Sequence, residues 1–186
     1  LAGKVTYFGV ATLREALELK EHHPQTPVFL FGHLFSHEIP AVLQGGVALS
    51  VSSLEKAREI SAISAGLGRK TPVHVKVDTG MHRVGADPND VARLIERISA
   101  HAGELRLGGL YTHFAAADDP AHPANRIQSE RFDSVIDSVR PMIGDAAIHA
   151  VNSAGALSMA SQRHSFVRAG IATYGIVPGD GVAALC

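Results

Sequence analysis

The residues best placed to do chemistry are Lys76, Asp78 and Arg83 in the run Lys76-Val77-Asp78-Thr79-Gly80-Met81-His82-Arg83-Val84-Gly85. Side chains alternate across a strand, so His74, Lys76 and Asp78 share one face while Val73, Val75 and Val77 take the other. The apolar face packs and the polar face points at a site, which Arg83 joins from the glycine turn. Two cations side by side repel by about 4 kcal/mol at ~4 Å and an effective dielectric of ~20. Carbon dioxide relieves this if it carbamylates Lys76, because the amine becomes an anion that hydrogen-bonds and fixes Arg83.

Three further polar groups fall at the ends of strand-like runs. They are Leu110-Tyr111-Thr112-His113-Phe114, His149-Ala150-Val151-Asn152-Ser153-Ala154-Gly155 and Val167-Arg168-Ala169-Gly170-Ile171. Asn152 and Ser153 offer side-chain donors at a helix start, where backbone N–H groups and the helix dipole face an anion, and Gly170 admits a close backbone approach. Taken alone, Asn152-Ser153 is also what a plain helix N-cap looks like.

Short apolar runs alternate with amphipathic stretches along the whole chain, the pattern of a parallel sheet crossed over by helices. Seven strands are predicted, at 7–11, 28–31, 47–51, 73–77, 107–113, 148–151 and 166–168. Helix starts are marked by capping boxes at Thr12/Glu15 and Ser52/Glu55 and by Asp87-Pro88. A closed (β/α) barrel has eight strands, so one is expected before Leu1. Polar residues recur at strand C-terminal ends and no Gly-x-Gly-x-x-Gly follows the first strand, which favours a barrel over a doubly wound sheet.

In order along the chain, Phe8-Gly9-Val10-Ala11-Thr12 with Glu15-Ala16, the Lys76 to Gly85 run, the His113 and Asn152-Ser153 segments and Val167-Arg168-Ala169-Gly170-Ile171 with Tyr174-Gly175 resemble the alanine racemases, pyridoxal-phosphate enzymes of fold type III. The resemblance implies an α/β fold, a TIM-type (β/α)8 barrel present in part, with 1–177 in the barrel and 178–186 opening a hinge to a C-terminal β-domain. It implies that Ser153, with backbone at Gly170 and Ile171 and with Asn152 beside them, holds the cofactor phosphate. It further implies that Arg168 faces the pyridine nitrogen with His149 behind it, that His113 lies against the ring, and that Arg83 reaches the phenolic oxygen and the substrate carboxylate. Lys76 and Asp78 support Arg83, Lys76 as a carbamate in some members. An arginine donates to the ring nitrogen without giving up its proton, which keeps the ring a weaker electron sink and favours racemisation over transamination. Ala169 stands where the family usually has proline and Val151 where it has alanine, and neither change removes a donor.

The same resemblance puts the two catalytic bases elsewhere. The Schiff-base lysine belongs to a first-strand stretch like Lys-Ala-Asn-Ala-Tyr-Gly-His-Gly, which does not occur here, and the second base is a tyrosine from the partner subunit's C-terminal domain. Neither Lys76 nor Lys4, Lys20, Lys56 or Lys70 has a motif that recommends it. The expectation is the central part of a homodimeric, cytoplasmic alanine racemase that supplies D-alanine for peptidoglycan, inactive by itself. A metal-dependent barrel hydrolase using His74, Lys76, Asp78, His113 and His149 is the alternative of another class, although it lacks a His-x-His pair, and no metal is expected. A non-catalytic pyridoxal-phosphate-binding barrel is the third.

Composition is consistent with this and excludes little else. The 186 residues carry a net charge of -1 and 46% hydrophobic content, which argues against nucleic-acid or membrane-surface binding by charge. Mean hydropathy is +0.11, and no apolar run is long enough to span a bilayer. The single cysteine, Cys186, excludes an internal disulfide and suits a reducing compartment.

Overall fold

The computed structural model describes residues 4–186. Six strands form one sheet in sequence order: β1 (Phe8–Val10), β2 (Val28–Leu30), β3 (Ala48–Val51), β4 (Thr71–Lys76), β5 (Leu105–Tyr111) and β6 (Ala147–His149). Phe8 pairs with Val28 and Phe29 with Ala48, and Gly109 pairs with Ala147, all in parallel register. Helices α1 (Leu13–His22), α2 (Ile39–Gln44), α3 (Leu54–Gly66), α4 (Val91–Ala100), α5 (Pro123–Ile143) and α6 (Ser153–Ser158) alternate with them. A doubly wound sheet reverses its strand order at a switch point, and this order has no reversal, as a (β/α) barrel requires.

Local signals explain where the helices begin. The Thr12 hydroxyl accepts from the Glu15 N–H at 3.2 Å while the Glu15 carboxylate accepts from the N–H groups of Thr12 and Ala11 at 3.0 and 2.9 Å. The second cap is displaced by one residue from expectation: Ser53, not Ser52, accepts from the Lys56 N–H. Ser53 is the residue with extended backbone, so its oxygen faces the first turn. Asp87 caps a short 3-10 turn, Pro88–Asp90, that leads into α4.

The Cα packing divides into two compact units whose boundaries fall within β4, α4 and β5. One comprises the residues up to His74 with Arg93–Gly108. Its strands β2 and β3 are buried along nearly their whole length, as expected where both sheet faces are covered. Here His74 stacks on Phe29 with ring centroids 4.5 Å apart and meets Tyr7 edge-on at 5.7 Å. His74 is therefore part of an aromatic core and does not join Lys76 and Asp78 at the strand end. The apolar alternate positions Val73, Val75 and Val77 are buried too.

The other unit comprises Val75–Ala92 and Gly109–Cys186 and contains every remaining residue of interest. Its one departure from expectation in secondary structure is 166–168, which is not a strand. The segment follows β6 through bonds from Ser165 N to Ile148 O at 2.9 Å and from Arg168 N to Val151 O at 3.0 Å. Between them the Ser165 hydroxyl, rather than a backbone carbonyl, takes the Ile148 N–H at 2.9 Å, so the ladder is interrupted. A 3-10 turn at Asp180–Leu185 follows, with Val182 fully buried.

Candidate active site

The strand β4 and the turn after it set the first group of residues. Asp78 does not project into open space: its Oδ1 accepts from the N–H groups of Gly80, Met81 and His82, each at 3.0 Å. Partial burial pushes the Asp78 carboxyl up, but these donors and the nearby His82 outweigh it and hold it below the usual carboxylate range. The turn then doubles back, with Asp78 N bonded to Ala86 O at 2.9 Å and Ala86 N to Lys76 O at 2.8 Å. That return passes so close that a Cβ on Gly85 would lie 2.4 Å from the Asp78 nitrogen, at a φ of +156°. Only glycine fits. The turn leaves Arg83 exposed.

Lys76 is 8% exposed, its amine 5.7 Å from the centroid of the Tyr111 ring. Burial, then the positive charges of Arg83 and Arg168, push the Lys76 amine down, against the opposing pull of Asp78.

Arg168 organises the second group. Its Nη1 lies 2.9 Å from His149 Nδ1, and its Nη2 donates to the carbonyls of Thr112 and Ala150, both at 2.7 Å, with His113 Nδ1 at 3.3 Å. A guanidinium only donates, so His149 accepts at Nδ1; the two hydrogens of Nη2 go to the carbonyls, and its longer contact with His113 Nδ1 is at most a shared one. None of these contacts uses Nε. Among the described residues no carboxylate pairs with Arg168. Burial pushes its guanidinium down to about 10, which leaves it charged at neutral pH. His113 is pushed down to about 4, first by burial and then by Arg168, Lys76 and Arg83, so it is neutral. Stacking fixes the His149 plane: Tyr111 lies parallel at 4.8 Å on one side and Phe166 is 4.4 Å away.

The third group gathers at the start of α6. Asn152 is its N-cap, with Oδ1 accepting from Gly155 N at 3.0 Å, so its side chain serves the helix. Ser153 points elsewhere: its Oγ accepts from the backbone N–H groups of Gly170 at 2.9 Å and Ala172 at 3.3 Å. A Cβ placed on Gly170 would meet nothing nearer than Ser153 Oγ at 4.0 Å. Ile171, in the same turn, is 46% exposed. Donors from two segments thus surround one small corner.

Several residues here escaped the sequence reading. Gln128, Thr79 and Thr112 are buried polar side chains that bond to one another's loops, and Tyr111 supplies the aromatic wall beneath Lys76, His149 and Arg168. The signal for Gln128 was present, because it lies one helical turn before the buried Phe132 on the apolar face of α5. Among the described residues no three His, Cys, Asp or Glu side chains come together as a metal site. No helix among them is long and apolar enough to cross a membrane.

Comparison with known proteins gives a consistent answer. The family model described as alanine racemase, N-terminal domain, matches residues 1–178. The chain is 35% identical over 182 residues to an alanine racemase of Symbiobacterium thermophilum, covering 95% of this chain and 47% of that protein. It is 40% identical over 177 residues to one of Chlorobaculum tepidum, covering 93% and 46%. Among solved structures, the alanine racemase of Streptomyces lavendulae superposes with a TM-score of 0.90 at 30% identity, covering 97% of this chain and 49% of that one. The Clostridium difficile 630 enzyme in complex with cycloserine gives 0.89 at 32% identity, covering 98% and 50%. The chain spans about half the length of the relatives it matches.

Proposed function

The chain belongs to the alanine racemase N-terminal domain family, and from that premise we propose that it is the central, cofactor-holding part of an enzyme that interconverts L-alanine and D-alanine with pyridoxal phosphate. The observation that carries this reading is Arg168: a half-buried guanidinium whose four close partners are two backbone carbonyls and two imidazoles, none of them an anion, with Nε left over, beside the donor-lined corner at Ser153. A cation partly withdrawn from water without a counter-charge is costly unless something it binds repays the lost hydration.

The residues present fit the cofactor. Ser153 Oγ and the N–H groups of Gly170, Ile171 and Ala172 would hold the phosphate, where Ser153 Oγ now takes the Gly170 and Ala172 donors itself. Asn152 acts indirectly by starting α6 at that point. Arg168 would meet the pyridine nitrogen through Nε, His149 would hold Arg168 in plane, and neutral His113 would lie against the ring. When bound, pyridoxal phosphate withdraws electrons from the amino acid and so makes its Cα–H acidic. Arg168 keeps its own proton, and the ring nitrogen therefore gains a hydrogen bond and no charge. Arg83, carried by a turn that Asp78 fixes, would bind the substrate carboxylate. Lys76 would be carbamylated: its lowered pKa makes free amine available, and the resulting anion would face Arg83.

The two bases that take and return the Cα proton on opposite faces would come from a first-strand lysine and from a tyrosine of the partner subunit in a homodimer. The setting would be the cytoplasm and the product D-alanine for peptidoglycan. The test is turnover. The chain by itself should not racemise alanine, whereas the protein extended upstream and downstream to the length of its relatives should. Racemisation by the bare chain, freed of host enzyme, or none by the extended protein, would overturn the reading.

A further inference from the structure

Gln128 is 1% exposed on α5, and every polar atom of its side chain is engaged with a loop that carries a proposed site residue. Its Oε1 accepts from Ala115 N at 2.9 Å, and its Nε2 donates to the His113 carbonyl at 3.0 Å and to Thr79 Oγ1 at 3.2 Å. The hydrogen bonds then run on in one direction. Thr112 Oγ1 donates to Val77 O at 2.9 Å, so the 2.7 Å contact between the Thr79 and Thr112 hydroxyls is donated by Thr79. Thr79 is thus left to accept, and only a donor at position 128 satisfies it.

We propose that Gln128 is a positioning residue that ties the arginine-bearing turn at Thr79 to the His113 segment, so that Arg83, on the substrate carboxylate, and His113, against the cofactor ring, face one site. This rests on the functional reading of those two residues given above. Thr112 also reaches the turn, through its contact with Thr79 and its bond to Val77 O, but among the contacts described Gln128 is the side chain from outside both segments that bonds to each of them. Arg131 reaches only the Thr79 carbonyl, at 3.2 Å. An amide is the one neutral group of this size that offers both donors and an acceptor. Glutamate has the same shape and the opposite polarity, and its carboxylate would face the His113 carbonyl and the Thr79 oxygen with no proton to give.

The experiment uses the extended, cofactor-loaded enzyme and compares it with Q128E, Q128M and T79V. KM and kcat for alanine are measured together with the affinity for propionate, which is alanine without its amine. All three variants should raise KM and weaken propionate about tenfold, with kcat changed much less. The Q128E defect should shrink as pH falls, because a protonated carboxyl regains a donor, whereas the Q128M defect should not depend on pH. T79V also breaks the Thr79–Thr112 contact, so T112V, which breaks that contact and leaves the Gln128 bond, is its control. A larger defect in T79V than in T112V decides the matter if the Gln128 variants do not fold, and equal defects would count against the proposal. Unchanged KM and propionate affinity, with only the unfolding temperature or kcat lowered, would overturn the proposal. Racemisation by the unsubstituted enzyme tests the functional reading separately, and propionate binding tests the clamp without turnover.

Discussion

Arg168 gives the site its electrostatic character, because one guanidinium sets the accepting nitrogen of His149, takes two backbone carbonyls and lies against His113 as well. In the extended enzyme, Arg168→Glu should cut racemisation roughly a hundredfold or more, given several charge-assisted bonds lost at once. A carboxylate would also let the ring nitrogen keep a proton, so the keto-acid side product of transamination should gain relative to racemisation. Cofactor affinity should fall less, since Ser153 and Gly170 are untouched. Enantiomer and keto-acid assays on the same sample check this, and an unaltered racemisation rate would make Arg168 a structural arginine. At the same scale, nitrogen NMR should find His113 neutral at pH 6 and His149 with its Nδ1 unprotonated. The sequence made Arg168 and His149 visible through motif alone. It could not reveal that Tyr111 stacks on one of them and faces the other, because that contact joins strands that only the fold brings together.

Among the elements, the turn after β4 is the most constrained. Gly85→Ala should destabilise the protein by more than about 1 kcal/mol, since the backbone sits at φ +156° and the new methyl would strike the Asp78 backbone. Gly103→Ala is the control: nothing lies within 4 Å of its Cβ position, so the change should stay within about 0.5 kcal/mol. Equal losses in denaturant melts would contradict this account of the turn. The Gly-rich run was legible as a turn from composition, and the Thr12/Glu15 box as a helix start, because both signals are local. The expected strand at 166–168 failed for a non-local reason. Its apolar residues look like a strand, but Ser165 occupies the ladder position with its side chain. Gln128 shows the converse, a polar residue on an apolar helix face whose partners lie far away in sequence.

At the scale of the molecule, two histidines with strongly lowered pKa values contribute to the acid response. His74 and His113 are each held down to about 4 by burial, against an ordinary value of 6.5. Between those values the unfolded chain binds protons that these rings in the folded chain do not, so their contribution to stability is full above pH 6.5 and falls as pH drops toward 4. Unfolding temperatures measured at pH 7 and 4.5 should show that loss, and replacing His74 by Asn should reduce its steepness. A flat profile would mean that the rings are hydrated in solution. The strand order was legible from the alternation of apolar runs and helices, whereas the division into two compact units follows from packing that no local pattern encodes. The central claim is that the unit containing Ser153, Arg168 and Gly170 is a cradle for a phosphorylated pyridoxal. Its most direct test is calorimetric titration of the extended apoprotein with pyridoxal phosphate and with pyridoxal, before and after Ser153→Asp, which sets a carboxylate where the phosphate would lie. Pyridoxal phosphate should bind the unsubstituted protein tightly and the variant at least about a hundredfold more weakly, with pyridoxal affinity nearly unchanged. Equal binding of pyridoxal phosphate to both proteins would contradict it.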